Sequence, residues 1–114
     1  MRNEAGLAGQ MLSIPRPRVM PRMAWEARRS IYFIGGDEGP VKIGYSCNPK
    51  ARLRQMQTGS PQVLRILAID EDGSPEVERW YHERFAAYRQ KGEWFERCPE
   101  ILAEIERLSV EVVG

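Results

Sequence analysis

Two short apolar segments on either side of a turn constrain the fold more than any other feature of this sequence. The segments IYFIG (residues 31–35) and VKIGYS (41–46) are rich in β-branched and aromatic side chains, which favour strands. The intervening GDEGP contains the residue types found in tight turns. We therefore predict a β-hairpin in which Lys42 points away from Val41 and Ile43, because side chains alternate along a strand.

The pattern after the hairpin predicts helices around one further strand. Asn48 and Pro49 fit the cap and the first position of a helix that ends at Gly59. The later elements are predicted as a strand at 62–70, a helix at 75–92 that Gly92 ends, an extended segment EWFE at 93–96 and an amphipathic helix at 99–113.

Apolar positions in the predicted helices indicate which sides face the sheet. These positions are Leu53, Met56 and, as a further candidate, Gln57 in the first helix, Val77, Trp80, Tyr81, Phe85 and Tyr88 in the second, and Ile101, Leu102, Ile105 and Leu108 in the last. We interpret Trp80, Phe85 and Tyr88 as core residues rather than as a platform for stacking bases. A small three-stranded antiparallel sheet flanked by helices, which is an α+β fold, accounts for this order of elements.

The first 29 residues form a basic segment unlike the remainder. They carry six arginines and two glutamates, a net charge of +4, whereas residues 66–114 have a net charge of −6. Prolines in IPRPRVMPRM disfavour a helix, so we predict an arm or linker at 1–29 and a domain at 30–114. We expect the arm to contact phosphates or a protein partner and to add to affinity rather than to folding. Charge alone leaves open both a polyanion-binding surface and a chance segregation.

Length, hydropathy and cysteine content narrow the class of protein. A chain of 114 residues fits one domain with one core. No apolar run approaches the length of a membrane span and no signal-peptide pattern opens the sequence, so we expect a cytoplasmic protein that does not enter a membrane. Cys47 and Cys98 form no CxxC pair, which argues against structural zinc and fits a reducing compartment, although a disulfide stays open.

Five ordered motifs between Ser30 and Phe95 carry a resemblance to a known family. They are SIYFIG, KIG, NPKARLRQM, EVERWYHERF and GEWF. Together they resemble the GIY-YIG nuclease superfamily, and are closest to its phage- and prokaryote-rich T5orf172 and Mug113-like branch. Ser30 stands at the first glycine of the family motif, and Lys42 stands at its second tyrosine, where lysine is usual in this branch.

The resemblance implies catalytic roles for five residues. Glu78 would hold Mg²⁺ or Mn²⁺, and Arg52 would bind a phosphate oxygen. Tyr32 would act as general base or hold the attacking water, which requires a lowered pKa, and Lys42 across the hairpin is the cation expected to lower it. His82 would contact phosphate or water or exchange a proton, unless it is a hydrogen-bonded structural histidine. We expect the five side chains to surround one concave sheet face.

Four further residues are expected to assist this site. Lys50 and Arg54 would bind nucleic acid together with Lys42 and Arg52, while Tyr45 and Glu93 would support the site. Without the resemblance, the charged residues among these would be interpreted as solvated surface groups.

The resemblance therefore implies a metal-dependent DNA endonuclease or nickase. The alternative is a catalytically inactive DNA-binding or protein-interaction module on the same fold, for example as a component of a larger phage-related assembly. The asparagine that many superfamily members carry after the glutamate helix has no clear match here, which favours this alternative. The sequence indicates neither a target site nor an oligomeric state.

Overall fold

The structure, a computed structural model, describes residues 15–18 and 29–113, with side chains described as far as residue 109. Within these residues the chain forms five strands and three α-helices. In chain order they are β1 (Ser30–Gly35), β2 (Val41–Ser46), α1 (Pro49–Thr58), β3 (Arg65–Asp70), α2 (Pro75–Arg84), a 3₁₀ turn (Ala86–Tyr88), β4 (Arg89–Lys91), β5 (Trp94–Phe95) and α3 (Pro99–Val113). The α+β class is confirmed.

The strands form one antiparallel sheet in the order β3-β1-β2-β5-β4. The predicted hairpin is confirmed, and its turn is held by Arg97, which donates to the Gly36 and Gly39 carbonyls at 2.6 and 2.8 Å. The predicted number of three strands is wrong. The sheet has two more strands because the chain turns back at Gly92, whose φ is +57°, and β5 then pairs with β2.

The predicted helix at 75–92 is also too long. Helix α2 ends at Arg84, and Phe85, which follows it, is fully buried. Residues 89–91 then form β4, whose backbone pairs with β5, so tertiary pairing overrides the helical preference of this segment. Gly92 therefore forms the turn of a second hairpin instead of ending a helix.

The predicted helix starts are confirmed at their caps. The Asn48 side chain accepts a hydrogen bond from the Ala51 amide, and Ser74 accepts one from the Val77 amide. A proline occupies the first turn of both helices, where the missing amide proton has no intrahelical partner to lose. These caps fix where α1 and α2 start relative to the sheet.

The sheet separates two apolar layers. The larger layer contains Ile31, Phe33 and Ile43 packed against α2 and α3, and the smaller contains Tyr32 and Ile34 under α1. Leu53 and Met56 pack on the smaller layer as predicted. Gln57 instead uses its side chain to bond the Leu64 amide and the Gln62 carbonyl.

One predicted core position on α3 is wrong. Leu102 is 43% exposed, whereas Glu104 is only 3% exposed. Glu104 accepts hydrogen bonds from Tyr81 and Arg84, which turn this carboxylate toward the interior. Ile101 and Leu108 are buried as predicted.

Most of the predicted arm lies outside the described residues. Of its 29 positions, only 15–18 and 29 are described. Arg16 contacts the domain directly, with Nη2 at 2.8 Å from Asp70 Oδ2 and 3.1 Å from the Asp72 carbonyl. Cys47 is exposed, Cys98 is buried, and both are free thiols. No helix in the described part of the chain is long and apolar enough to cross a bilayer.

Candidate active site

The central feature of the site is a tyrosine that lies across a glycine. Tyr32 on β1 is directly opposite Gly44 on β2 and is 1% exposed. A Cβ atom at Gly44 would lie 2.3 Å from the Tyr32 hydroxyl oxygen, which is far inside van der Waals contact. The absence of a side chain at Gly44 therefore lets the Tyr32 ring cross the β2 backbone. This explains why the SIYFIG motif with its tyrosine occurs together with the KIG motif and its glycine.

Arg52 on α1 is the cation beside Tyr32. Its guanidinium is close enough to interact with the Tyr32 hydroxyl, and it donates to Gln55 Oε1 at 3.0 Å. Burial raises the pKa of Tyr32, and the nearby Arg52 charge opposes this increase without overcoming it. The expectation that Lys42 lowers the pKa of Tyr32 is therefore wrong, and Tyr32 is a neutral phenol at neutral pH.

Lys42 is instead directed at Glu93. Lys42 Nζ lies 3.8 Å from Glu93 Oε1, and the lysine side chain is only 16% exposed. The Glu93 carbonyl accepts the Ile43 amide at 3.0 Å, which fixes Glu93 at the point where β5 begins to pair with β2. The backbone of β2 thus holds both members of this ion pair.

Glu78 and Glu93 form a carboxyl pair. Burial raises the pKa of Glu78 to about 7, and the charge and hydrogen bond of Glu93 add to the increase, while Lys42 partly opposes it. Two carboxyl groups this close favour sharing a proton or a cation over both being charged alone. The pair is therefore able to bind a positive ion near neutral pH.

His82 is held by the backbone of β2. Its Nε2 is 2.8 Å from the Ile43 carbonyl oxygen, which can only accept, so Nε2 carries the hydrogen. The same nitrogen is 3.9 Å from Glu78 Oε2, and the ring centre is 5.1 Å from that of Phe95. This placement favours the structural alternative for His82, because its Nε2 is already engaged.

The five predicted catalytic residues meet at a sheet edge and not on one face. Tyr32 and Arg52 come from the α1 layer, whereas Glu78 and His82 come from α2 on the other layer. They can meet because β5 pairs with β2 only at Val41 and Lys42, which leaves the following part of β2 open to side chains from both layers. The expected single concave face is therefore wrong, while the expected proximity is found.

An open cleft of about 590 Å³ adjoins this edge. Its lining residues are Pro75, Glu78, Arg79, His82, Glu83, Arg89, Gly92 and Glu93. Sequence reasoning missed Arg79 and Arg89. No sequence pattern indicated a role for Arg89, because residues 75–92 were predicted as one helix and β4 was not expected.

The other predicted residues lie farther out. Tyr45 packs against the larger apolar layer, and its hydroxyl accepts from Arg29 at 3.2 Å, so the structure does not place it with Tyr32. Lys50 and Arg54 are exposed on α1, the helix that carries Arg52.

The donor atoms fit a hard divalent ion bound together with a phosphate. Within the described residues, no three His, Cys, Asp or Glu side chains are grouped as metal ligands. The available donors are the carboxylate oxygens of Glu78 and Glu93. Mg²⁺ is commonly held by one or two carboxylates with substrate phosphates and water completing its shell. Glu78 and Glu93 are therefore the described residues that could hold such an ion.

Comparison with known proteins identifies the family of this chain. A family model described as the T5orf172 domain matches residues 29–110. This range includes the whole edge site, which consists of Tyr32, Lys42, Arg52, Glu78, His82 and Glu93. No curated protein and no solved structure gives a significant match to the chain.

Proposed function

Since the chain belongs to the T5orf172 domain family, we propose that it is a metal-dependent endonuclease or nickase that hydrolyses DNA phosphodiester bonds. The observation that carries the proposal is the meeting of two pairs at one sheet edge. Tyr32 with Arg52 provides a hydroxyl and a cation, and Glu78 with Glu93 provides oxygen ligands beside an open cleft. Phosphodiester hydrolysis needs these elements, because water must be oriented and phosphate charge must be neutralised.

Arg52 supports the phosphate side of the reaction. A guanidinium can bind two non-bridging oxygens at once and is charged at any working pH. Glu78 would hold Mg²⁺ or Mn²⁺, which on binding would neutralise phosphate charge and assist the leaving oxygen. Lys42 limits the repulsion between Glu78 and Glu93, because it lies 3.8 Å from the second carboxylate.

Tyr32 is proposed to hold the attacking water. Because its pKa is raised, its hydroxyl is protonated at neutral pH and can both accept from and donate to a neighbouring molecule. His82 is proposed as a positioning residue, since it ties α2, which carries Glu78, to the Ile43 carbonyl. Lys50 and Arg54 extend the cationic surface of α1 along which a DNA backbone would run.

The test is a plasmid-cleavage assay with Mg²⁺ or Mn²⁺ on the natural protein, Glu78→Gln and Glu76→Gln. Glu76 is an exposed glutamate on the same helix and provides a matched control. We expect metal-dependent cutting by the natural protein and by Glu76→Gln. Glu78→Gln should lose several orders of magnitude in rate but keep its DNA affinity, since only a carboxylate charge is removed. Cutting by Glu78→Gln at the natural rate would contradict the metal role.

The second candidate is a DNA-binding or protein-interaction module that does not cut. It is favoured by the engaged Nε2 of His82 and by the neutral Tyr32. Under this alternative the natural protein binds DNA or a protein partner, and plasmid stays intact under both metals. The same assay, run beside a DNA-binding measurement, separates the two candidates.

A further inference from the structure

We infer that Arg79 and Arg89 form a second phosphate-binding subsite, which holds a backbone phosphate of the same DNA strand next to the phosphate bound by Arg52. The inference rests on the proposed binding of DNA at the edge site. It proposes that the cleft binds the part of the DNA strand that continues beyond the phosphate held by Arg52. The two arginines have a positioning role, because they would act on the substrate backbone away from the bond that is cut.

The position of the two arginines is the first argument. Arg79 follows Glu78 on α2, and Arg89 is the first residue of β4 in the β4–β5 hairpin. The two arginines therefore come from different elements that line one cleft. Glu78 and Glu93 line the same cleft. A DNA strand with one phosphate at Glu78 would therefore pass close to the guanidinium groups of Arg79 and Arg89.

The second argument is that both charges are available. In the described part of the chain, Arg16, Arg65, Arg84 and Arg107 each have a carboxylate within ion-pair distance. Neither Arg79 nor Arg89 has such a partner among the described residues, although Glu83 lines the same cleft. An arginine kept beside carboxylates without pairing to them can bind an incoming anion without first losing an internal ion pair.

The third argument is that Arg89 is held in place. Its guanidinium carbon lies 5.5 Å from the centre of the Phe95 ring, a distance typical of a cation–π contact. Phe95 is fully buried and also contacts the His82 ring. The guanidinium is thus ordered before the ligand arrives, which lowers the entropic cost of binding a phosphate.

Charge balance in the cleft is the last argument. The carboxylates of Glu78, Glu83 and Glu93 would repel a polyanion, and a metal ion at Glu78 would offset only part of this repulsion. Two arginines provide the remaining positive charge and can each bind phosphate oxygens in a bidentate manner. A single phosphodiester engages one such group, so this arrangement fits a substrate with at least two consecutive phosphates.

The experiment measures how DNA affinity depends on salt, with EDTA present so that no strand is cut. The slope of log affinity against log salt counts phosphate contacts and needs no knowledge of a target sequence. We expect Arg89→Gln to lower the magnitude of this slope by about one unit, and Arg79→Gln with Arg89→Gln to lower it by about two. Arg65→Gln, on the opposite edge strand β3, removes the same charge and should leave the slope unchanged.

Arg89→Lys distinguishes a phosphate contact from a packing effect. It keeps the positive charge above Phe95, so the slope should stay close to the natural value while affinity falls by less than about tenfold. A purely structural role for Arg89 predicts instead that Arg89→Lys and Arg89→Gln lower the melting temperature together and leave the slope unchanged.

The outcomes separate this inference from the proposed function. Slopes unchanged in the double variant overturn the subsite even if the natural protein cuts DNA. Slopes that fall as expected support the subsite even if no cleavage is detected, in which case only the endonuclease proposal is lost. A natural protein without measurable DNA affinity overturns both.

Discussion

Two groups of tyrosine, carboxylate and basic side chains lie in different parts of this domain, and their difference is informative. The edge cluster consists of Tyr32, Lys42, Arg52, Glu78 and Glu93, and the inner network consists of Asp70, Tyr81 and Glu104 with Arg16, Arg84 and Arg107. Each group has one tyrosine and two carboxylates. They differ in how many cations touch the carboxylates directly.

In the inner network both carboxylates accept hydrogen bonds from arginine and tyrosine side chains. The Tyr81 hydroxyl lies 2.7 Å from Asp70 and 2.9 Å from Glu104. Burial alone would raise the pKa of Glu104, but hydrogen bonds from Arg107 and Tyr81 and the charge of Arg84 keep it below its usual range. Glu104 is therefore a stable anion whose charge is satisfied within the fold.

The negative charges of the two carboxylates in the edge cluster are only partly balanced by neighbouring cations. Lys42 Nζ lies 3.8 Å from Glu93 Oε1, and no arginine in the described part of the chain forms an ion pair with Glu78 or Glu93. Burial raises the pKa of Glu78 to about 7. The same residue types thus stabilise the fold where arginines bind them directly, and stay available for a ligand where they do not. The comparison predicts opposite responses of the two groups to mutation and to pH.

The largest expected effect is the loss of the inner network. Glu104→Ala should lower the free energy of unfolding by about 3–5 kcal/mol, because it leaves the partly buried Arg84 without its carboxylate. Tyr81 keeps Asp70 as its acceptor. Glu106→Ala, an exposed neighbour on α3, is the control and should change stability by less than about 0.5 kcal/mol. Urea unfolding measures both. Equal stabilities of the two variants would mean that Glu104 does not make the stabilising hydrogen bonds described above.

These two groups also show what the sequence could and could not predict. The hairpin, the cap at Asn48 and the start of the second helix at Pro75 depend on local residue types, and they were predicted correctly. Glu104 was missed in favour of Leu102, because its partners Tyr81 and Arg84 are on another helix and no helical pattern records them.

The same reasoning applies to the edge cluster. The identity of its residues came from the resemblance, but the meeting at an edge depends on where β5 stops pairing with β2. That point follows from the β4–β5 hairpin. Its second strand lies in the segment predicted as extended, but β4 forms only because β5 is available to pair with it, so local propensity predicted a helix there instead. The cation beside Tyr32 was misassigned for the same reason, since Arg52 reaches it from α1 and not along the strand.

The next effect concerns the contact of Tyr32 with Gly44. Gly44→Ala should cost about 1–3 kcal/mol of stability and abolish any cleavage, because the new methyl group overlaps the Tyr32 ring. Gly59→Ala is the matched control, since a Cβ there has no neighbour within 4 Å. Chemical unfolding and the plasmid assay measure the two consequences. A Gly44→Ala protein as stable as Gly59→Ala would show that the tyrosine does not cross β2.

A smaller effect is expected where the arm joins the inner network. Arg16→Ala should lower stability by about 1 kcal/mol, because Asp70 is buried and loses a charged hydrogen-bond donor while keeping Tyr81. Arg18 is exposed in the same segment, and Arg18→Ala should be neutral. Thermal unfolding of both variants checks this. Identical melting temperatures would restore the expectation that the arm adds nothing to folding.

The smallest effect is a difference in pH dependence. The folded-state pKa of Glu78, about 7, is above its unfolded value, so the folded protein binds more protons between roughly pH 4.5 and 7 and this contribution to stability is lost as pH rises. Glu104 has a lowered pKa, so its contribution is lost as pH falls. Glu93→Gln should return the pKa of Glu78 toward its usual range.

The expected result is a smaller loss of unfolding free energy between pH 5 and 8 in Glu93→Gln than in the natural protein. The change should be on the order of 1 kcal/mol or less, since Glu78 is partly exposed and its charge is screened. Glu96→Gln, an exposed neighbour, is the control. Urea unfolding at several pH values measures these slopes. A slope in Glu93→Gln equal to that of the control would mean that the two edge carboxyls do not interact, and the contrast with the inner network would then rest on burial alone.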